Sequence, residues 1–290
     1  QLVNTDDLNL ELNVLGAIEK NELTEMPIDP ATGERKIINP TGVYAQAKGK
    51  STYDYYMREY AGVNPDNGYA QWYVNYDDKN GNGSRDAGEA IADLYEYKLE
   101  NPNATILEET TETYTTATKR YIGKLALPDL TGAFSIDAQY KNFDLSAIFT
   151  YGIGGYAYDS AYRDFMDNET VSNMQQMHID IENRWQNPGD VTDVPLLNSN
   201  WQTNQASTST RFLVKADYLN FASMQIGYTL PQTVSQKVSA SSARLYLSGD
   251  NLMILTARDG FNPTYSLSGG TGRYTYEPMT TVSAGLTINF

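Results

Sequence analysis

The chain closes on EPMTTVSAGLTINF, in which apolar and polar residues alternate one for one from Val282 onward. Val282, Ala284, Leu286, Ile288 and Phe290 fall on one face of a strand; Ser283, Gly285, Thr287 and Asn289 fall on the other. Residues 130–152 repeat the pattern twice. Ala133, Ser135, Asp137 and Gln139 alternate with Phe134, Ile136, Ala138 and Tyr140; after a Lys141-Asn142 turn, Phe143, Leu145, Ala147 and Phe149 alternate with Asp144, Ser146, Ile148 and Thr150. Each strand is about ten residues long, enough to cross a bilayer at a tilt and longer than the usual strand of a soluble sheet. LNLELNVLGAIEK (8–20), RFLVKADYLNFASMQIGYTL (211–230, a strand pair) and ARLYLSGDNLMIL (243–255) add further strands. PQTVSQKVSASS between the last two predicts a short helix or turn, with Pro231 at its first helical position. STYDYYMREYAGV and GYAQWYVNYD predict two aromatic strands joined by NPDNG.

Short turns alternate with long connections. The turn at 141–142 is tight, whereas 153–210 is long and carries helix-like pieces in YDSAYRDFMDN and NMQQMHIDIENRW. A polar, loop-like stretch runs through DPATGERKIINPTG, and an acidic, threonine-rich one over 86–118. The fold class is all-β and antiparallel, with about eight strands. Eight can close a small barrel, but the uneven loops and a chain that opens inside a strand, without a signal peptide, fit a portion of something larger. The alternation leaves two solutions open. A soluble sandwich lays the apolar face on a core; a membrane barrel turns it to lipid and lines a lumen with the polar face.

Composition narrows the function classes. Asp and Glu outnumber Lys and Arg 36 to 21, against the clustered cations that nucleic-acid phosphates need. There is no cysteine, so no disulfide framework, thiolate metal site or thiol chemistry. The one histidine, His178, lies in a helix-like segment and reads as structural. No Gly-x-Ser-x-Gly elbow, phosphate loop or dinucleotide fingerprint occurs, so the chain is read as a non-enzyme. Tyrosine is over-represented, 23 against 8 Phe and 3 Trp, as suits surfaces that are half apolar and half wet. No run of about 18 apolar residues predicts a membrane helix.

One stretch carries a ligand pattern of its own. DKNGNGSRDAGE (78–89) matches D-x-[DN]-x-[DN]-G-x5-E throughout. Calcium takes oxygens at alternating positions of such a loop. Asp78, Asn80 and Asn82 supply side-chain oxygens, Gly83 the bend, Ser84 a carbonyl, Asp86 a direct or water-mediated contact, and Glu89 a bidentate carboxylate. Two of the first three ligands are neutral amides, which predicts moderate affinity. The alternative is a solvated Asn-Gly turn with no ion. The upstream segment reads as strand, so the loop is expected as a stand-alone Ca2+ staple in an insertion rather than an EF-hand sensor.

RYIGKLALPDLTGAFSIDAQYKNFDLSAIFTYGIGG, FLVKADYLNFASMQIGYTLPQTV, ARLYLSGDNLMIL and the aromatic terminal strand resemble the C-terminal third of SusC/RagA-type TonB-dependent transporters of Bacteroidetes. YYMREYAGVNPDNGYAQWYV and DGFNPTYS resemble two further phrases of that family. The resemblance covers 50–290 and is weakest over 1–45. It implies that 1–290 is the C-terminal part of a 22-stranded antiparallel transmembrane β-barrel with long extracellular loops, with the plug domain and N-terminal strands absent. It implies residence in the outer membrane, in contact with its lipid, and uptake of oligosaccharides or oligopeptides. A SusD-like surface lipoprotein would close over the mouth, and TonB would act through the missing N-terminal part. It also implies that Phe290 is a recognition signal for the barrel assembly machinery. The absence of a plug is the main departure, since an open sheet edge is not tolerated in lipid.

Two rivals are kept in view: a soluble calcium-binding β-sandwich, as adhesin or carbohydrate-binding module, and a glycan hydrolase, which needs two carboxylates across a cleft. Asp164, Asp167 and Glu169 form an acidic run that reads as a wet loop face before a second ion site. Tyr156, Tyr158, Tyr162, Trp185 and Trp201 sit in the expected outer loops and read as loop packing before sugar or lipoprotein contacts. Tyr274 and Tyr276 are placed for an interfacial belt.

Overall fold

The alternating segments all enter one sheet. The computed structural model describes residues 1–167, 176–197, 204–266, 276 and 278–290. In chain order it has β1 (Val3–Asn4), β2 (Leu8–Ala17), β3 (Ile38–Thr41), β4 (Tyr44–Ala47), β5 (Asp54–Arg58), β6 (Tyr60–Val63), β7 (Ala70–Asp77), α1 (Leu94–Glu100), β8 (Ile106–Thr111), β9 (Lys119–Leu125), β10 (Leu130–Tyr140) and β11 (Phe143–Ile153). β12 (Tyr156–Tyr158), α2 (Ser160–Phe165), β13 (Leu213–Lys215), β14 (Tyr218–Thr229), α3 (Gln232–Ser235), β15 (Ser242–Thr256) and β16 (Thr281–Asn289) follow. The main sheet runs β1-β2-β10-β11-β14-β15-β16, and every neighbour is antiparallel.

That order makes an up-and-down meander with two unlike ends. At the turn end, Lys141 takes the left-handed conformation (φ 53°) that closes the β10–β11 hairpin in two residues. Its N–H donates to the Asp7 carbonyl at 2.9 Å. Asn142 and Thr229 exchange bonds of 2.8 and 2.9 Å, fixing the hairpin to β14. At the loop end, residues 18–129 and 154–217 carry the remaining strands. These form β3-β4-β5-β9, β6-β7-β8 and β12-β13 sheets.

Register aligns the apolar positions across the whole main sheet. Val14, Phe134, Phe149, Phe221 and Met253 form one row of cross-strand partners. Glu11, Asp137 and Ser146 form a row on the opposite face. A slip of one residue would exchange the faces. β14 breaks its own alternation at Ala222, because Phe221 and Ser223 need opposite faces while lying two residues apart. A bulge between Phe221 and Ser223 absorbs the mismatch. The apolar face is not laid on a core: Val14 is 66% exposed, Val282 64% and Leu255 52%. A β-sandwich would cover these residues, so the soluble-sandwich rival does not describe this fold.

The core proper lies at the loop end. Tyr55, Met57, Ala126, Tyr158, Met166, Val194 and Phe212 pack together from two separate insertions. Trp72 is fully buried beside Tyr60 and Tyr114, with edge-on rings at 6.4 and 5.3 Å.

Several local expectations need correction. STYDYYMREYAGV is two strands in different sheets, divided at Glu59. Residues 211–230 do not form a strand pair: β13 joins β12, and β14 joins the main sheet. Pro231 is the N-cap of α3 rather than its first helical residue. The stretch ending in IINPTG contains β3, and 86–118 contains α1 and β8. Strand segments exceed the expected eight because the insertions fold into sheets of their own.

Candidate functional site

The two faces of the main sheet make the first site. Side chains at alternate positions must share an environment, and here one environment is uniformly apolar. Phe134, Phe149 and Phe221 stack in a continuous row, with centroids 4.7 and 4.5 Å apart and planes within 10° of parallel. Phe143 and Tyr228 form a tilted pair at 4.6 Å near the turn end.

The other face is a hydrogen-bonded polar wall. Asp137 accepts from Ser135 Oγ at 3.1 Å and Ser146 Oγ at 2.7 Å. Arg244 Nε donates to Asp144 at 3.0 Å, and a second guanidinium nitrogen completes a bidentate pair. With its amide turned so that oxygen faces the same guanidinium, Gln225 accepts from it at 2.7 and 3.0 Å. Glycines make room on this wall. A β-carbon on Gly227 would collide with Arg244, one on Gly152 with the Tyr218 ring, and one on Gly285 with the Tyr246 ring. Rings laid over neighbouring glycines pin the register of adjacent strands.

The 78–89 loop is the second site. It follows β7 and returns through the Tyr76–Ala90 bridge, so both ends are held by sheet. The upstream segment is a strand, as the sequence predicts. Asp78 accepts from the N–H groups of Asn82 (3.0 Å) and Gly83 (2.9 Å). Asn80 Oδ1 accepts from Asn82 N–H, and Asn82 Oδ1 from Ser84 N–H. Glu89 accepts from Asp86 N–H at 2.9 Å and Lys79 N–H at 3.3 Å. The Asn80 and Asn82 amides both donate to Asp86 Oδ2. Gly81 and Gly83 take positive φ, which bends the loop around these side chains. Asp78 and Glu89 are buried to 8% exposure, and among the described residues no lysine or arginine pairs with them. That donor set suits a hard, oxygen-seeking cation. Among the described residues no three His, Cys, Asp or Glu side chains are grouped closely enough to hold a metal unaided. A cation here therefore needs the two asparagines and the Ser84 carbonyl as well as the carboxylates.

The other sequence candidates scatter. Tyr158 is buried, and Tyr156 and Tyr162 pack against the loop-end core. Trp185 lies over Gly68 and donates from Nε1 to the Pro65 carbonyl at 2.9 Å. All four are packing residues. Asp164 pairs with Arg163 at 2.7 Å, while Glu169, Trp201 and Tyr274 lie outside the described residues. Tyr276 is 94% exposed beside β16. His178 caps a short helical turn, accepting from Asp180 N–H at 3.2 Å, the structural role its setting predicts.

Sequence reasoning missed two part-buried arginines. Arg211 donates to the Gln205 carbonyl at 2.9 Å and lies against the Tyr60 and Phe212 rings. Burial holds its pKa below the ordinary arginine value. Arg258 pairs with the fully buried Asp159 and covers Tyr162 at 4.4 Å. The contacts to Tyr60, Asp159 and Tyr162 join segments far apart in sequence, so no local spacing announces them.

No protein-family model matches the chain. TonB-dependent receptor P3 of Formosa agariphila is 29% identical over 148 residues, covering 51% of this chain and 14% of that protein. TonB-dependent receptor P39 of the same organism is 27% identical over 173 residues, covering 57% and 16%. Among solved structures, the RagAB peptide transporter matches with TM-score 0.74 and 23% identity, covering 100% of this chain and 28% of that one. The RagAB peptide importer in its closed-closed state matches at 0.75 with 22% identity, and in its open-open state at 0.70 with 22%. The chain thus spans about a seventh of the curated relatives' length and just over a quarter of the RagAB chains. The fold is that of C-terminal strands of such a barrel, with one apolar face, one polar face, a turn end and a loop end.

Proposed function

We propose that this chain, C-terminal barrel wall of the SusC/RagA-type TonB-dependent kind and seated in the outer membrane, works in energy-driven import of oligosaccharides or oligopeptides. One observation carries the reading. An unbroken antiparallel sheet presents one apolar face and one polar face, with tight turns at one end and folded insertions at the other. That is the layout of a lipid-embedded wall around an aqueous path. The β1 and β16 edges bear unpaired ladder groups, which lipid does not satisfy, so further strands close the barrel in the working protein. The protein's part is binding and gating; TonB, reached through the remainder of the transporter, delivers the work. The resemblance to RagAB supports a SusD-like surface lipoprotein over the mouth, and because RagAB is a peptide importer it also supports the peptide arm.

Two further assignments belong to the same reading. The 78–89 loop holds a calcium ion that pins the β7–β8 insertion; Asp78, Asn80, Asn82, Ser84, Asp86 and Glu89 supply its oxygens. Phe290, 87% exposed at the periplasmic end of an edge strand, is the mark by which the assembly machinery takes up the barrel.

Uptake of labelled neutral oligosaccharides and short peptides, in cells carrying the complete transporter, tests the import reading. Expected is outer-membrane fractionation and uptake that stops when TonB is deleted. Recovery in the soluble fraction, or uptake indifferent to TonB, would overturn it.

A further inference from the structure

Near the extracellular rim the lumen wall is shaped rather than flat. Tyr218 opens β14 opposite Gly152 of β11, and a β-carbon on Gly152 would meet the Tyr218 ring at 2.5 Å. The missing side chain therefore seats the ring over the neighbouring strand. Thr131, the other partner of Gly152, lines the same cavity as Tyr218, a space of about 230 Å³. Two residues further along the same face of β14, Asn220 lines a second cavity of about 240 Å³ with Asn251, Asn262 and Thr280.

The segment 261–266 divides the two, and Thr264 borders both. It is anchored rather than loose. Phe261 is buried with Ala157 and Ala216. Thr256 Oγ1 lies 2.9 and 2.8 Å from the Arg258 and Phe261 carbonyls, which share its one hydroxyl proton. Asn262 Oδ1 accepts from both the N–H and the hydroxyl of Thr264. Asn262 and Thr264 are thus committed to the roof. The Tyr218 hydroxyl and the Asn220 amide have no hydrogen-bond partner among the described residues and are free to meet a ligand.

The chemistry of the lining selects the ligand. In a chain with net charge −15, neither cavity is lined, among the described residues, by an Asp, Glu, Lys, Arg or His side chain. A charged group entering would lose water without gaining a counter-charge. The phenol and the amide each both donate and accept, as do the hydroxyls of a sugar, and an aromatic face packs against the C–H groups of a pyranose. Each cavity is smaller than the roughly 300–1,000 Å³ of a site that engulfs a drug-sized ligand, so one ring enters rather than an oligomer. We propose that the two adjoining cavities of this rim cleft form a subsite for two successive uncharged pyranose rings of an oligosaccharide, the first stacked on Tyr218 and the second read at its hydroxyls by Asn220. The proposal rests on the import reading and chooses the saccharide arm of it.

The test uses the complete transporter purified in mild detergent with the chains that accompany it. Probes are uncharged hexasaccharides of glucose, galactose, mannose and xylose, with a lysine- and aspartate-bearing hexapeptide as contrast, titrated by calorimetry. At least one neutral saccharide is expected to bind. Tyr218→Ala and Asn220→Ala should each weaken it about tenfold or more, the loss of roughly one good contact, with Tyr218→Phe falling in between. Asn9→Ala, on the lumen face near the turn end, should leave the affinity unchanged. Circular dichroism and heat-modifiable migration establish that each variant is folded. No binding by any neutral saccharide, or wild-type affinity in both alanine variants, overturns the subsite. If TonB-dependent uptake persists in that case, the import reading stands without it; if uptake is absent while saccharide binding depends on Tyr218 and Asn220, import falls and the subsite stands.

Discussion

Phe149 stacks on Phe221 across β11 and β14, their ring planes 8° apart and centroids 4.5 Å apart. With Phe134 on the far side, the pair forms a flat aromatic band in the middle of the apolar face. Phe149→Arg puts a guanidinium at that depth. In a lipid-facing wall the cost is about 2–4 kcal/mol, and the band loses its central ring. The complete transporter should then show less heat-modifiable barrel in the outer membrane and a lower urea midpoint. Ser146→Arg, on the lumen face of the same strand, should insert nearly as well as wild type. Equal tolerance at both positions would mean the face assignment is reversed or absent.

Arg244 and Asp144 pair on the polar face with 28% and 38% of their side chains exposed, so their contribution is that of a wet ion pair, about 1 kcal/mol or less. Arg244→Ala should lower barrel stability by about that amount and by less at high salt. Gly227→Val acts on the same pair from beneath, because its side chain needs space the guanidinium occupies. A double-mutant cycle between the two should therefore be non-additive. Additive losses would show that the contact is not formed in the assembled barrel.

Glu89→Gln removes the charge that closes the 78–89 loop while preserving its size. Calcium binding by calorimetry should be lost, and with it the stabilisation that saturating calcium brings, about 2.7 kcal/mol at a hundredfold excess over Kd. Chelation of the wild-type protein should mimic the substitution, with increased proteolysis confined to the 78–89 region. Arg85→Ala, whose partner is Glu109 outside the ligand set, should leave calcium affinity within a few-fold. Unchanged calcium affinity in Glu89→Gln would remove the ion from the loop.

Asp54 begins β5 at 8% exposure, and its Oδ1 has no hydrogen-bond partner among the described residues. Burial raises its pKa, with Lys50 opposing the shift. The sign follows from linkage: a carboxyl that binds its proton more tightly when folded loses stability as pH rises through the interval between the unfolded and folded values. Asp54→Asn removes that loss. The variant should melt higher than wild type at pH 7, and the difference should shrink as pH falls below the ordinary carboxylate range. A lower melting point at pH 7 would mean that the Asp54 charge is compensated.

What the sequence disclosed and what it hid have physical reasons. Strands long enough to cross a bilayer carry a period that survives translation into structure, so β10, β11 and β16 are legible from Phe134, Phe149 and Leu286 alone. The bend and hydrogen bonding of the 78–89 loop are legible because Asp78, Asn80, Asn82, Asp86 and Glu89 all come from one segment. Hidden were features decided by distant partners. The bulge at Ala222 is set by keeping Phe221 and Ser223 on opposite faces of a sheet whose neighbours the local sequence does not name. The division of 51–63 at Glu59 depends on which sheets flank it. The part-buried Arg211 lies against the Tyr60 ring, remote in the chain. The rim cleft at Tyr218 requires a glycine on the adjacent strand and a roof from residues 261–266, and no single-segment pattern contains both.

Phe290 gives the last prediction. β16 is an edge strand whose outer ladder is open, and its apolar row ends at a phenylalanine exposed to 87%. Such a side chain adds little to packing, so Phe290→Ala should cost the finished barrel less than about 1 kcal/mol, well short of a buried phenylalanine truncation. If the ring is instead read during assembly, the substitution acts on yield. The outer membrane should then hold several-fold less transporter, unfolded chains should accumulate in the periplasm, and the molecules that do insert should unfold at the wild-type urea concentration. Phe290→Tyr, which keeps an aromatic ring, should restore most of the yield. Normal yield with a lowered urea midpoint would make Phe290 a packing residue and remove the assembly role.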